Sequence, residues 1–155
     1  MITSYDIALE KLRKYCAYQD RCHAEVRTKL INIKVYGDDL ENIITDLIKE
    51  DFLNEERFAC SYARGKFRMK KWGRNKIKME LQKRRVSAYC IKKGMEEIDE
   101  EEYIETLRGI LRKQIEKHNT LTIFLARDKA IKYAHGRGYE FNEIYKLIKE
   151  MEHEE

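Results

Sequence analysis

The residues most able to do chemistry are the cations of one segment, residues 64–85, "RGKFRMKKWGRNKIKMELQKRR". Eleven of its 22 positions are Lys or Arg and one, Glu80, is acidic, although the whole chain has a net charge of only +4. Such a density of cations favours an anionic partner: DNA, a membrane surface or an acidic protein. A solvated helix face would normally mix both signs, and this segment does not.

A helical projection of this segment predicts a contact surface. Arg64, Arg68 and Lys71 form a row on one side of the helix, with Phe67 beside them. Phe67 has two interpretations, packing against a neighbouring repeat or serving as an aromatic anchor in the basic surface. A membrane-surface helix fits poorly, because the apolar stripe of the same helix is needed for the core. The predicted partner-binding residues in the segment are Arg64, Lys66, Phe67, Arg68, Lys70, Lys71, Arg74, Lys76, Lys78, Lys83 and Arg84.

Catalytic chemistry has no comparable signal. The sequence lacks the glycine-rich phosphate loop, the dinucleotide fingerprint and the H-E-x-x-H zinc motif. The "HGRGY" at 135–139 could cradle a phosphate, but a turn between two helices is the favoured interpretation. We therefore expect a binding protein without catalytic residues, cofactor or metal. The histidines are scattered and are interpreted as surface residues: His23, His118, His135 and His153.

Cysteine usage and hydropathy indicate the cellular compartment in which the protein is expected to act. Four cysteines show no C-x-x-C spacing, so a zinc site is not predicted and reduced thiols are expected. No apolar run approaches the ~18 residues that would span a bilayer. The first residues carry acids and no hydrophobic stretch, which argues against a secretory signal. A cytoplasmic protein with no membrane partner is expected.

The elements that must position the basic segment are predicted to be helices. The chain contains no proline and is 39% charged. Proline interrupts helices, so its absence favours long helices, and hairpin turn signals are scarce. We predict an all-α fold.

A recurrence of about fifty residues divides the chain. Leu30, Leu81 and Ala134 occupy equivalent places, 51 and 53 positions apart. Three helices repeated three times is the simplest account, and such repeats stack into elongated arrays. The predicted three-helix units are 1–52, 53–99 and 100–155.

Each unit is predicted to begin with a long helix. In the second unit Asn54 is the predicted N-cap, and a stripe of apolar residues is predicted to face the core. Ser87 and Asp39 are further predicted N-caps. The stripe is Phe58, Tyr62, Met69 and Trp72, and the long helices span roughly 4–19, 54–71 and 100–118.

An acidic segment, 94–106, marks the border between the second and third units. It holds seven acids and no base. A solvated helix start is the favoured interpretation, and an internal electrostatic partner for the basic segment is the alternative.

Four stretches of the sequence resemble one protein family. "DFLNEERFACSY" (51–62) and "KKWGRNKIKMELQKRRV" (70–86) are similar to the second repeat of RecX, the bacterial regulators of the RecA recombinase. "DRCHAEVRTKL" (20–30) and "GRGYEFNEI" (136–144) resemble elements of the first and third repeats. Cys22 departs from the family's usual serine and weakens that N-cap.

The resemblance implies three tandem three-helix units forming a curved, elongated array, and it adds Arg57 to the candidate contact residues. Members of the family bind the RecA–DNA filament, lie in its groove and restrain the recombinase in DNA repair. The implied partners are therefore the RecA nucleoprotein filament and DNA phosphate. The protein is expected to bind them as a monomer. A stand-alone nucleic-acid-binding protein of helical repeats, independent of RecA, is the alternative.

Overall fold

The computed structural model describes residues 4–154. Residues 1–3 and 155, at the outer ends of the first and third predicted units, lie outside the described residues. Within 4–154 the chain forms nine α-helices and no strand. They are α1 Tyr5–Tyr18, α2 His23–Asn32, α3 Gly37–Lys49, α4 Glu55–Lys70, α5 Arg74–Lys83, α6 Ala88–Met95, α7 Glu100–Lys117, α8 Ile123–Gly136 and α9 Phe141–His153.

The helices confirm the predicted all-α fold of three successive triplets. The long first helices α1, α4 and α7 begin and end within one residue of the predicted bounds. Each triplet lies inside one of the predicted units, and the unit bounds themselves stay predictions. Within residues 4–154, no helix is both long and apolar enough to cross a membrane.

Capping side chains explain where several helices begin. The Arg57 amide donates to Asn54 Oδ1 at 2.9 Å, and the Cys90 amide donates to Ser87 Oγ at 3.2 Å, as predicted for both caps. The prediction for Asp39 was wrong. Helix α3 begins earlier, with Tyr36 as N-cap, and its first residue, Gly37, has a φ of 59° that glycine tolerates without strain.

Cys22 is the N-cap of α2 and is fully buried. Its backbone amide donates to the Glu25 carboxylate at 3.3 Å, which satisfies one orphan donor of the helix start. Its thiol donates to the same carboxylate oxygen at 3.3 Å. Burial raises the pKa of this thiol to about 11, so it stays protonated at neutral pH.

Among the described residues the helices group into two compact units, 4–62 with 81–94 and 63–80 with 95–154. In the first unit, α1, α2 and α3 pack against one another around a continuous apolar core. Its buried members come from all three helices and the following loop: Ala8, Leu9, Leu12, Cys16, Val26, Leu30, Val35, Leu40, Ile43, Ile44, Leu47 and Leu53.

In the second unit, α7 packs on both α8 and α9. Small residues of α8 (Ala126, Ala130 and Ala134) are almost fully buried, which allows close approach to α7. Two tyrosines, Tyr103 of α7 and Tyr139 of the α8–α9 turn, are fully buried with ring centroids 5.0 Å apart. They stand next to the basic segment described below.

Helix α4 buries opposite sides in its two halves, and this corrects the predicted stripe. Phe58 and Phe67 are both buried, although nine residues apart on a helix means about 180° of rotation. Met69, predicted to face the core, is 83% exposed. Tyr62 and Trp72, the other two members of the stripe, are half-buried.

Candidate anion-binding surface

The basic segment forms the second half of α4, the α4–α5 turn, α5 and the turn after it. Helix α4 stops because Lys71 takes a left-handed φ of 55°. The amides of Lys71 and Trp72 then bond back to the carbonyls of Phe67 and Lys66 at 2.9 and 3.2 Å. Cations at this helix end also interact favourably with the negative end of the helix dipole.

Four predicted contact residues are exposed cations. None of the four forms an ion pair with any residue that the structure describes. Their charges are therefore available to an anionic partner. They are Arg68, Lys70, Lys71 and Lys78, and we call them the open cations.

Trp72 is the aromatic residue of this surface. Lys66 Nζ lies 5.1 Å and Lys76 Nζ 4.6 Å from the centre of its ring. All three residues are half-buried, so the cluster lies at the protein surface. Cation–π contacts of this kind contribute about 0.5–1 kcal/mol at exposed sites. Sequence reasoning missed this role, since the projection assigned Trp72 to the core stripe.

Phe67 does not supply an exposed anchor. Its side chain is only 4% exposed, and its ring lies 5.7 Å from that of Tyr103. Of its two interpretations, packing is the one that the structure supports. The nearby aromatic group that reaches solvent is Trp72.

Arg57, Arg64 and Arg74 are engaged in ion pairs within the chain. Arg57 Nε lies 2.8 Å from Asp20 Oδ1, and this hydrogen bond is the main reason that the Arg57 pKa is raised. Arg64 pairs with Glu97. Their guanidinium groups are less available to a partner than the open cations.

Arg74 pairs with two carboxylates. Its guanidinium bonds Glu140 at 2.9 Å and also bonds Glu100, while it lies 3.8 Å from the centre of the Tyr103 ring. Burial, the largest single effect, acts to lower the Arg74 pKa, but the hydrogen bond to Glu140 and the charges of Glu140, Tyr103 and Glu100 together leave the pKa raised. With Arg64–Glu97, these bonds show that the acidic segment 94–106 is in part an internal partner of the basic segment.

Lys83 and Arg84 belong to the first compact unit, whereas residues 64–78 belong to the second. Lys83 is exposed, and the Arg84 guanidinium lies 4.9 Å from the centre of the Tyr62 ring. The prediction that all twelve residues bind one partner stays a prediction.

The "HGRGY" motif forms the turn between α8 and α9. The amides of Arg137, Gly138 and Tyr139 already donate to carbonyls of residues 133–135, at 2.9 to 3.1 Å. A phosphate-cradling loop needs such amides free, so these three cannot bind phosphate in this conformation. The turn instead contacts the α4–α5 turn through its carbonyls.

Backbone and side-chain bonds fix the α4–α5 turn against the α8–α9 turn. The Gly73 amide donates to Arg137 O at 2.8 Å, and the Asn75 amide donates to Gly138 O at 2.9 Å. The Tyr139 hydroxyl donates to Lys71 O at 2.9 Å. These bonds hold Lys71 and Trp72 in place within the basic surface.

Neither a metal-ligand cluster nor a disulfide occurs in the described part of the chain. There, no three His, Cys, Asp or Glu side chains come together as metal ligands would. Cys16, Cys22, Cys60 and Cys90 form no disulfide.

Comparisons with known proteins agree with this architecture. Residues 54–95 match the family model described as RecX, second three-helix domain. A regulatory protein RecX from Clostridium acetobutylicum is 31% identical over 149 residues, which cover 93% of this chain and 66% of that protein. A regulatory protein RecX from Lactobacillus johnsonii is 26% identical, over 88% of this chain and 51% of its own length.

Two solved structures share the fold. The crystal structure of RecX from Lactobacillus salivarius superposes with a TM-score of 0.88 at 21% identity, covering 96% of each chain. A second, the crystal structure of a regulatory protein RecX, gives 0.84 at 18% identity, over 94% of this chain and 71% of that one.

These matches define a class of helical-repeat regulatory proteins, and the chain belongs to the RecX family. The resemblance noted in the sequence is thereby confirmed. The chain spans about two thirds of the Clostridium relative and about half of the Lactobacillus johnsonii one.

Proposed function

We propose that this protein regulates the RecA recombinase, as an inhibitor that binds in the groove of the RecA–DNA filament. Family membership supports the choice of RecA as partner. The observation that carries the proposal is the surface formed by the four open cations beside Trp72 with its two lysines. It meets acidic protein surface and DNA phosphate, and it acts by binding, in the cytoplasm, without catalysis.

The chemistry of this surface suits a nucleoprotein partner. Cations that are not neutralised within the chain gain most from an anionic surface, because no internal pair must be broken first. Lysines held near an indole ring place charge beside a flat apolar face. A nucleoprotein groove offers both phosphates and acidic side chains to such a surface.

The test replaces all four open cations with glutamate (Arg68→Glu, Lys70→Glu, Lys71→Glu, Lys78→Glu). RecA ATPase on single-stranded DNA is measured with each protein titrated in at low salt. The parent should suppress the ATPase, and the variant should lose that suppression. The difference should shrink as salt rises, because exposed charges are screened beyond roughly 8 Å at physiological ionic strength.

A matched control carries four Lys→Glu changes at exposed sites elsewhere, Lys11, Lys14, Lys92 and Lys113. It changes the net charge equally and should still suppress the ATPase. Circular dichroism checks that both variants remain helical. Equal suppression by the open-cation variant and the parent would show that the surface is only a solvated face.

The second candidate is a nucleic-acid-binding protein that does not need RecA. The absence of internal pairs at the open cations is what favours it. In that case the protein binds single-stranded DNA as tightly in the absence of RecA as in its presence. The logarithm of its binding constant then falls with the logarithm of salt, and each lost phosphate contact lowers the slope by ~0.7. For a RecA-dependent regulator, reversing the open cations causes a large loss of binding to the filament and little change in the binding of naked DNA.

A further inference from the structure

Three exposed aromatic rings form a stacked ladder where α8 ends and α9 begins. His135 and Phe141 have ring centroids 3.8 Å apart and planes 13° from parallel. Phe141 and Tyr145 follow at 5.7 Å, again 13° from parallel. Phe141 is 44% and Tyr145 53% exposed, and His135 is exposed too. The ladder is therefore an ordered aromatic surface outside the core.

The fold supplies this order locally. Phe141 and Tyr145 lie four residues apart on α9, which places them on one face of the helix. His135 lies in the last turn of α8. Because both helices are anchored through buried Tyr139 and Ile144, the rings are held in place although their residues are exposed.

Cations accompany the ladder along α9. Tyr145, Lys146 and Lys149 line one shallow groove together with Asn142, Ile148 and Glu152. Neither Lys146 nor Lys149 pairs with an acid among residues 4–154. Two nearby acids are already engaged, since Glu152 lies 3.7 Å from Arg127 and Glu150 lies 3.4 Å from Arg108. A third, Glu143 in the first turn of α9, bonds to no other side chain that the structure describes. The groove thus offers Tyr145, the last ring of the ladder, and two positive charges that form no ion pair among the described residues.

We propose that the ladder is a stacking platform for unpaired bases of a single-stranded nucleic acid, with Lys146 and Lys149 binding its phosphates. A base is planar and extends a stack of near-parallel rings, and its backbone is anionic. An apolar peptide segment fits less well, because it needs an enclosed groove and this surface is open and charged. The platform does not include the open cations, and its binding to a bare strand does not depend on RecA.

The experiment measures binding of a fluorophore-labelled oligothymidine strand, by anisotropy, to the full chain. Phe141→Ala with Tyr145→Ala should weaken binding about tenfold or more, the loss typical of removing base–aromatic stacking. Tyr145→Leu keeps apolar area but removes the ring, so it should weaken binding as well. Tyr145→Trp keeps a ring and should retain parent affinity. The matched control is Phe124→Ala on α8, where Phe124 is 79% exposed, and it should bind as the parent does.

A strand of equal length with abasic sites separates stacking from charge. It keeps the phosphates and should bind the parent about as weakly as oligothymidine binds the double alanine variant. The proposal is overturned if the parent does not discriminate between the two strands, or if Tyr145→Leu binds as tightly as Tyr145→Trp. RecA ATPase with the open-cation variant is scored separately, so failure of this proposal and of the proposed function remain distinguishable.

Discussion

Glu140 is a carboxylate whose charge depends on two neighbours brought from distant parts of the sequence. It accepts hydrogen bonds from the Tyr103 hydroxyl and from the Arg74 guanidinium. Burial, the largest single effect, acts to raise the pKa of Glu140, but these hydrogen bonds, a backbone hydrogen bond and the charge of Arg74 together leave the pKa below its ordinary value. In the opposite sense, burial first and the bond to Glu140 second raise the pKa of Tyr103.

Replacing this carboxylate should therefore lower stability in a pH-dependent way. Glu140→Gln should reduce the free energy of unfolding at neutral pH by about 1–3 kcal/mol, the usual worth of charge-assisted bonds. Because the folded pKa is depressed, the parent's advantage is fully present above the unfolded pKa of about 4.3. It should disappear as pH falls through the lower folded pKa. Urea unfolding across the acid range measures this.

Glu143→Gln is the control for this experiment. Glu143 lies one turn into the same helix, α9, and bonds to no other side chain in the described part of the protein. Its substitution should leave the pH profile as it is in the parent. If Glu140→Gln and Glu143→Gln show the same dependence of stability on pH, the hydrogen bonds at Glu140 do not contribute to stability as argued.

At the residue scale, ion pairs between residues that are distant in the sequence could not be predicted from the sequence. The sequence shows that cations are concentrated in one segment. It does not show which of them are neutralised, since Arg64 and Glu97 are 33 residues apart and Arg74 and Glu140 are 66 apart. The sequence alone does not distinguish an exposed arginine from one that forms an ion pair. Only the packing of helices separates them.

At the scale of elements, the contact between the α4–α5 turn and the α8–α9 turn is the tightest backbone approach near the basic surface. A methyl group on Gly73 would overlap the backbone of Gly138 and Tyr139. Gly138 itself has a φ of 101°, which other residues rarely adopt. Both glycines are needed for two turns to bond through their backbones.

Gly73→Ala should accordingly destabilise the protein by about 1–3 kcal/mol or more, as overpacking does. It should also disturb Trp72, and tryptophan fluorescence of the folded protein should change. Gly65→Ala is the matched control, because Gly65 lies within α4 with no atom near the added methyl group. That change should be neutral or stabilising by about 0.5–1 kcal/mol. Equal effects of the two substitutions in chemical denaturation would contradict the close approach.

Helix α4 shows what periodicity can and cannot predict for an element. Its bounds followed from Asn54 and from the length of the helical pattern. Its buried face did not, because the first half packs within one compact unit and the second half within the other. A projection assumes one buried face along the whole helix. That assumption placed Met69 in the core and Phe67 on the side that faces away from the apolar stripe.

For the whole molecule, the fifty-residue recurrence predicts a shape longer than a sphere. A compact domain of 155 residues has a radius of gyration of about 15 Å. Small-angle scattering should give a clearly larger value, with the mass of a monomer. A radius at the compact value, or a mass of two chains, would overturn the corresponding part of this prediction.

The compact units alternate along the polypeptide, and this has a consequence for synthesis on the ribosome. Helix α4 leaves the ribosome before most of the second unit exists, so Phe67 and Arg74 emerge without Tyr103 and Glu140. Translation at ≈ 5–20 residues per second leaves this segment waiting for seconds. Its cations keep it soluble during that wait, because like charges resist association. No single stop codon releases the whole first unit alone, since residues 63–80, which lie between its two parts, belong to the second unit.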